Sequence, residues 1–141
     1  MNLEIIQEMW EKDSKIDQVM LEESSIRISQ LHHKYLTLLS EFKLLSKKHD
    51  QQVRLLEHKK WLYYSGKAPP EDYAEQPFNH KVLKGDVIHW VQVDEDIRKV
   101  KLKSEYFSTV VHTLEEILKQ IHQMSYNIKN AITWRMYAGG M

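Results

Sequence analysis

The 141-residue chain contains no cysteine. That excludes a disulfide framework, a thiolate nucleophile and any Cys-ligated metal. It has only three prolines and four glycines, and the glycines are isolated or terminal. A Gly-rich phosphate loop is therefore absent, and with it the usual signature of an ATPase. Net charge is absent too, with 20 basic and 20 acidic residues. No apolar run approaches the roughly 20 residues of a membrane span. The start, Met1-Asn2-Leu3-Glu4, lacks the positive charge and apolar core of a signal peptide. A cytoplasmic protein with no membrane role is expected. The eight histidines show no His-Glu-x-x-His pattern, so neither a metal site nor a cofactor is expected. No acid/base constellation points to an enzyme.

What is present is segregated charge. Residues 1–24 hold seven acids (Glu4, Glu8, Glu11, Asp13, Asp17, Glu22 and Glu23) against two lysines, a local charge of −5. Residues 43–67 hold Lys43, Lys47, Lys48, Arg54, Lys59, Lys60 and Lys67 against Asp50 and Glu57, a local charge of +5. A second basic run, Arg98, Lys99, Lys101 and Lys103, follows Asp94-Glu95-Asp96. Such blocks give a polarised surface.

Hydrophobic spacing gives the elements. Leu3, Ile5, Ile6, Met9 and Trp10 fit a short amphipathic helix over residues 3–12. From Leu21, apolar and aromatic residues recur every seven positions: Leu21, Ile28, Tyr35, Phe42, His49, Leu56 and Tyr63, with Leu31, Leu38 and Leu45 between them. This heptad seam, free of Pro and Gly, predicts one helix over residues 20–65, roughly 60 Å long. In its second half the seam carries His49, Gln52 and Lys59. Gly66, Pro69, Pro70, Pro77 and Gly85 predict a long connection over 66–86, of the kind that is functional or mobile. Residues 86–93 fit either a short helix capped by Asp86 or a strand of β-branched residues, and the short helix is favoured because everything around it is helical. Asp94-Glu95-Asp96 supplies the acids suited to the first turn of a second long helix. Phe107, Val110, Leu114, Ile117, Ile121, Met124, Ile128 and Ala131 form its seam, with a kink expected at Ser125–Asn127 and a stop at Gly139-Gly140.

The expectation is an all-α single domain: an acidic segment (1–19), a long helix with a basic and aromatic end (20–65), a loop and short element (66–93), and C-terminal helices (94–141). Two heptad helices in one small chain leave apolar faces over. Self-association is therefore expected through the C-terminal seam at Leu114, Ile117, Ile121, Met124, Ile128 and Ile132. The alternatives are an intramolecular bundle and, for function, a structural coiled-coil adaptor that binds no nucleic acid.

The stretch with chemical content is His58-Lys59-Lys60-Trp61-Leu62-Tyr63-Tyr64-Ser65-Gly66. Cations for phosphates beside rings for unstacked bases are what single-stranded nucleic acid requires. Lys59 and Tyr63 lie one helical turn apart, as do Lys60 and Tyr64. Lys47, Lys48, Arg54, His58 and Lys67 extend the positive track. An oligomer would multiply the few phosphate contacts that one chain offers. The expected contacts are Lys59 and Lys60 first, with Tyr63 or Tyr64 as a base platform.

This stretch resembles the signature Lys-x-Arg-Leu-x-Tyr-Tyr-Ser-Gly of the UvsY-type recombination mediators of tailed phages. Lys60 matches conservatively, and Tyr63-Tyr64-Ser65-Gly66 matches identically. His58 departs from the lysine of that signature, and Lys59 stands where the family has a small residue. Lys12-Asp13 with Ile16-Asp17, Val93-Asp94-x-Asp96, Ile128-Lys129-Asn130 and the aromatic-Ala-Gly at Tyr137-Ala138-Gly139 extend the likeness over most of the chain. The resemblance implies a non-enzymatic accessory of homologous recombination. It would form a ring-like homo-oligomer, a hexamer or heptamer, through its C-terminal region. It would bind single-stranded DNA and help a RecA-like (UvsX-type) recombinase displace the single-strand-binding protein.

Overall fold

The computed structural model describes residues 1–139. Five α-helices follow one another, with no strand among the described residues: α1 (Leu3–Asp13), α2 (Leu21–Tyr64), α3 (Pro70–Glu75), α4 (Val87–Val93) and α5 (Glu95–Ala138), with a single 3-10 turn at Lys84–Asp86. α2 and α5 each run for 44 residues, about 66 Å at 1.5 Å per residue. The expected kink at Ser125–Asn127 does not interrupt α5. The Ser125 hydroxyl donates back to the His122 carbonyl, 2.7 Å away.

Local chemistry sets the helix ends. The Asn2 side chain caps α1 by accepting the Ile5 N–H at 2.9 Å. Asp17 Oδ1 accepts the Val19 and Met20 N–H groups just ahead of α2. α2 stops in a Schellman motif: Lys67 N–H donates to the Leu62 carbonyl at 2.9 Å and Gly66 N–H to Tyr63 at 3.3 Å. Gly66 has φ +80°, a conformation that glycine adopts without a Cβ penalty. Pro70 opens α3, where its missing N–H costs nothing. Asp86 stands at the start of α4 but makes no side-chain cap bond there.

The chain packs as two compact units, Met1–Lys43 with the chain from Thr109, and Leu44–Ser108. In the first, α1 and the first half of α2 lie with the second half of α5. Its buried residues are Ile6, Leu21, Leu31, Tyr35, Leu39 and Phe42 together with Val110, Leu114, Ile117, Ile121, Met124 and Ile128. Burying each such side chain contributes about 1.5–3 kcal/mol. Trp10 meets Tyr35 edge-on at 5.5 Å and bonds Gln120 at 3.0 Å. Asp13 gathers the Lys34 ammonium at 2.7 Å and the Tyr35 hydroxyl at 2.8 Å, while Arg27 donates to its carbonyl at 2.7 Å.

The C-terminal seam takes part in this packing. Leu114, Ile117, Ile121, Met124 and Ile128 are at most 8% exposed within a single chain. They form an intramolecular core with α1 and α2. Ile132 alone of that set stays open, at 37%.

The seam of α2 also drifts. In its first half the inward positions are Leu21, Ser24 and Leu31 and, from Tyr35, they become Leu39, Phe42, His49 and Val53. The steps have changed from three-then-four to four-then-three. Leu45, expected inside, is 47% exposed. A straight α-helix turns about 20° per heptad away from a strict seven-residue repeat, so the inward line slips by one residue along so long a helix. Carried on, the slip takes the line to residue 60 in place of residue 59.

Candidate nucleic-acid interface

In the second unit, the end of α2 is fastened to the α4–α5 junction. Asp94 ends α4, and its Oδ1 accepts the N–H groups of Asp96 and Ile97 at 2.9 and 3.2 Å, which caps α5. Its Oδ2 accepts the Tyr64 hydroxyl at 2.6 Å and lies 3.2 Å from Lys60 Nζ. Lys60 reaches Asp96 as well, at 2.9 Å, with its side chain only 12% exposed.

The electrostatics follow from these contacts. Burial pushes the Asp94 carboxyl up, but the Tyr64 hydroxyl, the Ile97 N–H and the Lys60 ammonium outweigh it and hold the group below its ordinary value. Burial lowers Lys60, and its two carboxylate partners reverse that, so it stays protonated. Burial and donation to Asp94 both raise Tyr64.

The rings are occupied as well. Tyr63 stacks on Tyr73 at 5.2 Å with planes 17° apart, and its hydroxyl donates to the Gln76 carbonyl at 2.7 Å. Tyr73 donates back to the Tyr63 carbonyl at 2.8 Å. Tyr64 packs against Phe78 and Trp90, at 5.2 and 5.9 Å between centroids. Trp61 and Tyr64 also lean on the buried cluster of Val87, Val91 and Ile97, and Lys67 sits over the Trp61 ring at 5.2 Å. Residues 66–86, expected as an open loop, instead carry α3 and are bonded back onto the end of α2.

The cations divide accordingly. Lys60 faces inward and is ion-paired. Lys47, Lys48, Arg54, His58 and Lys59 are exposed, and none of them forms an ion pair among the described residues. At 100° per residue, Lys47, Arg54 and His58 fall within about 40° of one another on the helix, and Lys48 and Lys59 form a neighbouring line. Of the two acids in the stretch, Asp50 lies one turn from both Lys47 and Arg54, and Glu57 pairs with Lys101 at 3.5 Å. The structure thus keeps five of the expected residues on an open basic face. It sets Lys60, Tyr63 and Tyr64 into the fastening, with Lys67 over the Trp61 ring. Sequence reading had missed Tyr73, Phe78, Trp90 and the anchoring role of Asp94. Asp94 was legible only as a helix start, because nothing in the local sequence announces a lysine partner 34 positions away.

Long helices antiparallel within each unit and an exposed cationic helix face define an all-helical protein suited to a polyanion. The chain belongs to the family described as "Recombination, repair and ssDNA binding protein UvsY", whose profile matches residues 9–141. No curated protein matches it. Crystal structures of the bacteriophage T4 recombination mediator protein UvsY share its fold at 22% identity. One has a TM-score of 0.85 over 98% of this chain and 99% of the other. A second has 0.84 over 99% and 98%, and a third 0.84 over 94% and 97%. Among the described residues, no helix is long and apolar enough to cross a membrane.

Proposed function

We propose that this protein is a recombination mediator that holds single-stranded DNA along the outward face of α2 and helps a RecA-like recombinase replace the single-strand-binding protein there. The observation that carries this is the row of exposed, unpaired Lys47, Lys48, Arg54 and Lys59 on one side of the helix. Of the two acids in the stretch, Glu57 is already paired with Lys101. Binding of this kind reads the backbone and ignores sequence, as a loading factor must.

Few phosphate contacts per chain call for several chains. Self-association falls to the end of α5, where Ile132, Trp134, Met136 and Tyr137 are 37–74% exposed. A ring of six or seven copies would bring the basic faces together, hold the strand against its previous occupant and present it to the recombinase.

The test is single-stranded DNA affinity as a function of salt. Each phosphate held by a cation adds about −0.7 to the log–log slope. Lys59→Ala should flatten the slope by about that amount for each phosphate it releases. A slope unchanged in Lys47→Ala, Arg54→Ala and Lys59→Ala alike would remove this face from consideration. Recombinase loading is read as the lag in strand-dependent ATP hydrolysis by a RecA-like partner on strand already coated with single-strand-binding protein. This chain should shorten the lag.

A further inference from the structure

With Tyr63 and Tyr64 engaged in the fastening, the His58 imidazole is the one exposed ring on the basic face among the described residues. The face also has two leucines. Leu44 is 69% exposed and Leu55 71%, so neither side chain is spent on the core of its own chain. Each is followed one turn later by an exposed lysine: Leu44-x-x-x-Lys48 and Leu55-x-x-x-Lys59. At four residues, leucine and lysine are neighbours about 6 Å apart. The two pairs are separated by eleven residues, close to three full turns, so they fall on one line about 16 Å apart. Gln51 and Gln52, both exposed, lie between them.

We propose that Leu44 and Leu55 are the base-contacting residues of this face, each covering the flat side of an unstacked base whose phosphate is held by the lysine one turn away. This deepens the proposed function and rests on it. The chemistry recognised is a single strand, a polyanion that also exposes apolar faces. A duplex presents phosphates with its bases stacked away. An acidic amphipathic peptide or a second copy of the chain would also cover leucines. The repeat of apolar group and cation at one-turn spacing matches the alternation of base and phosphate better.

The experiment measures fluorescence anisotropy of a labelled oligothymidine and of an abasic oligonucleotide of equal length, across salt, with circular dichroism and native mass recorded for each variant. Leu55→Ala should weaken binding to oligothymidine roughly fivefold to tenfold, less than removal of an aromatic platform. Its salt slope should equal that of wild type, and its affinity for the abasic strand should not change. Leu44→Ala should behave likewise. Lys59→Ala should lower affinity for both strands and flatten the slope. Wild-type affinity for oligothymidine in both leucine variants would overturn the proposal while leaving the basic face intact, provided that Lys59→Ala still changes the slope. A leucine variant whose native mass falls, or that weakens both strands equally, would also overturn it, the first in favour of a contact between copies. An unchanged slope in Lys59→Ala would instead sink the underlying reading.

Discussion

Lys60 Nζ stands 3.2 Å from the Asp94 carboxylate, with the two side chains only 12% and 7% exposed. The same carboxylate oxygen accepts the Tyr64 hydroxyl, so two residues of the α2 end and the cap of α5 share one anion. The most conspicuous lysine of the basic stretch therefore serves the fold, and its neighbour Lys59 is left to face solvent.

Lys60→Met should lower stability by about 3 kcal/mol, because it leaves the Asp94 carboxylate in place without its cation. Urea unfolding read by circular dichroism checks this. The salt slope for single-stranded DNA should remain that of wild type, whereas Lys59→Ala should show the reverse pattern. A Lys60→Met protein of full stability with a flattened slope would return Lys60 to the DNA-binding set.

Stability should fall in acid through Asp94. Its folded pKa lies below the ordinary value of 3.8, so the native state favours the carboxylate. The contribution is fully present above pH 3.8 and is lost as pH falls through the lowered folded value. Asp13 is lowered by Lys34, Tyr35 and Arg27 against its own burial and acts in the same sense. Asp94→Asn keeps a good helix cap but loses the charge. It should unfold at lower urea than wild type at pH 7, and the gap should narrow at pH 3. A gap that does not change with pH would refute the linkage.

The helices were legible because their chemistry is local. The seven-residue spacing and the Gly66 stop lie within a few residues of the structure they specify, whereas the cap expected at Asp86 makes no side-chain bond. The inward line of α2 was not, since a strict heptad count places Gln52 and Lys59 inside. Helical drift over 44 residues instead turns Val53 and Lys60 inward. The same drift turns Lys60 inward and leaves Lys59 exposed. The roles of Tyr63 and Tyr64 were illegible for another reason. Phe78 and Trp90 come from 14 or more positions away, and no periodic pattern links them to the end of α2.

Tyr63→Ala should act on the fold before it acts on DNA. It removes the stack on Tyr73 and the hydrogen bond to Gln76, at a cost of about 3 kcal/mol for a large ring so placed. Tyr64→Phe removes only the hydroxyl and leaves an Asp94 lone pair short of a partner, at about 1 kcal/mol. Hydrogen exchange should report both effects in residues 66–94. Lower DNA affinity in Tyr64→Phe at conditions where it is fully folded would mean that the hydroxyl touches the strand.

The two sides of α5 should separate core from assembly. Ile121 is 1% exposed, and Ile121→Ala should cost about 2–5 kcal/mol by leaving a cavity in the first unit. Trp134 is 69% exposed and Tyr137 74%, and they stack at 5.9 Å on a helix end with little of its own chain to cover them. Exposed apolar rings of this kind mark a contact surface. Trp134→Ala/Tyr137→Ala should keep its helix content while its native mass falls toward that of one chain. DNA affinity should then drop far more than any single phosphate contact explains, because avidity itself is removed. Per-chain salt dependence should be retained, since Lys47, Lys48, Arg54 and Lys59 stand on another helix. Unchanged native mass would place the contact between copies elsewhere, with the exposed leucines of α2 as the next surface to truncate.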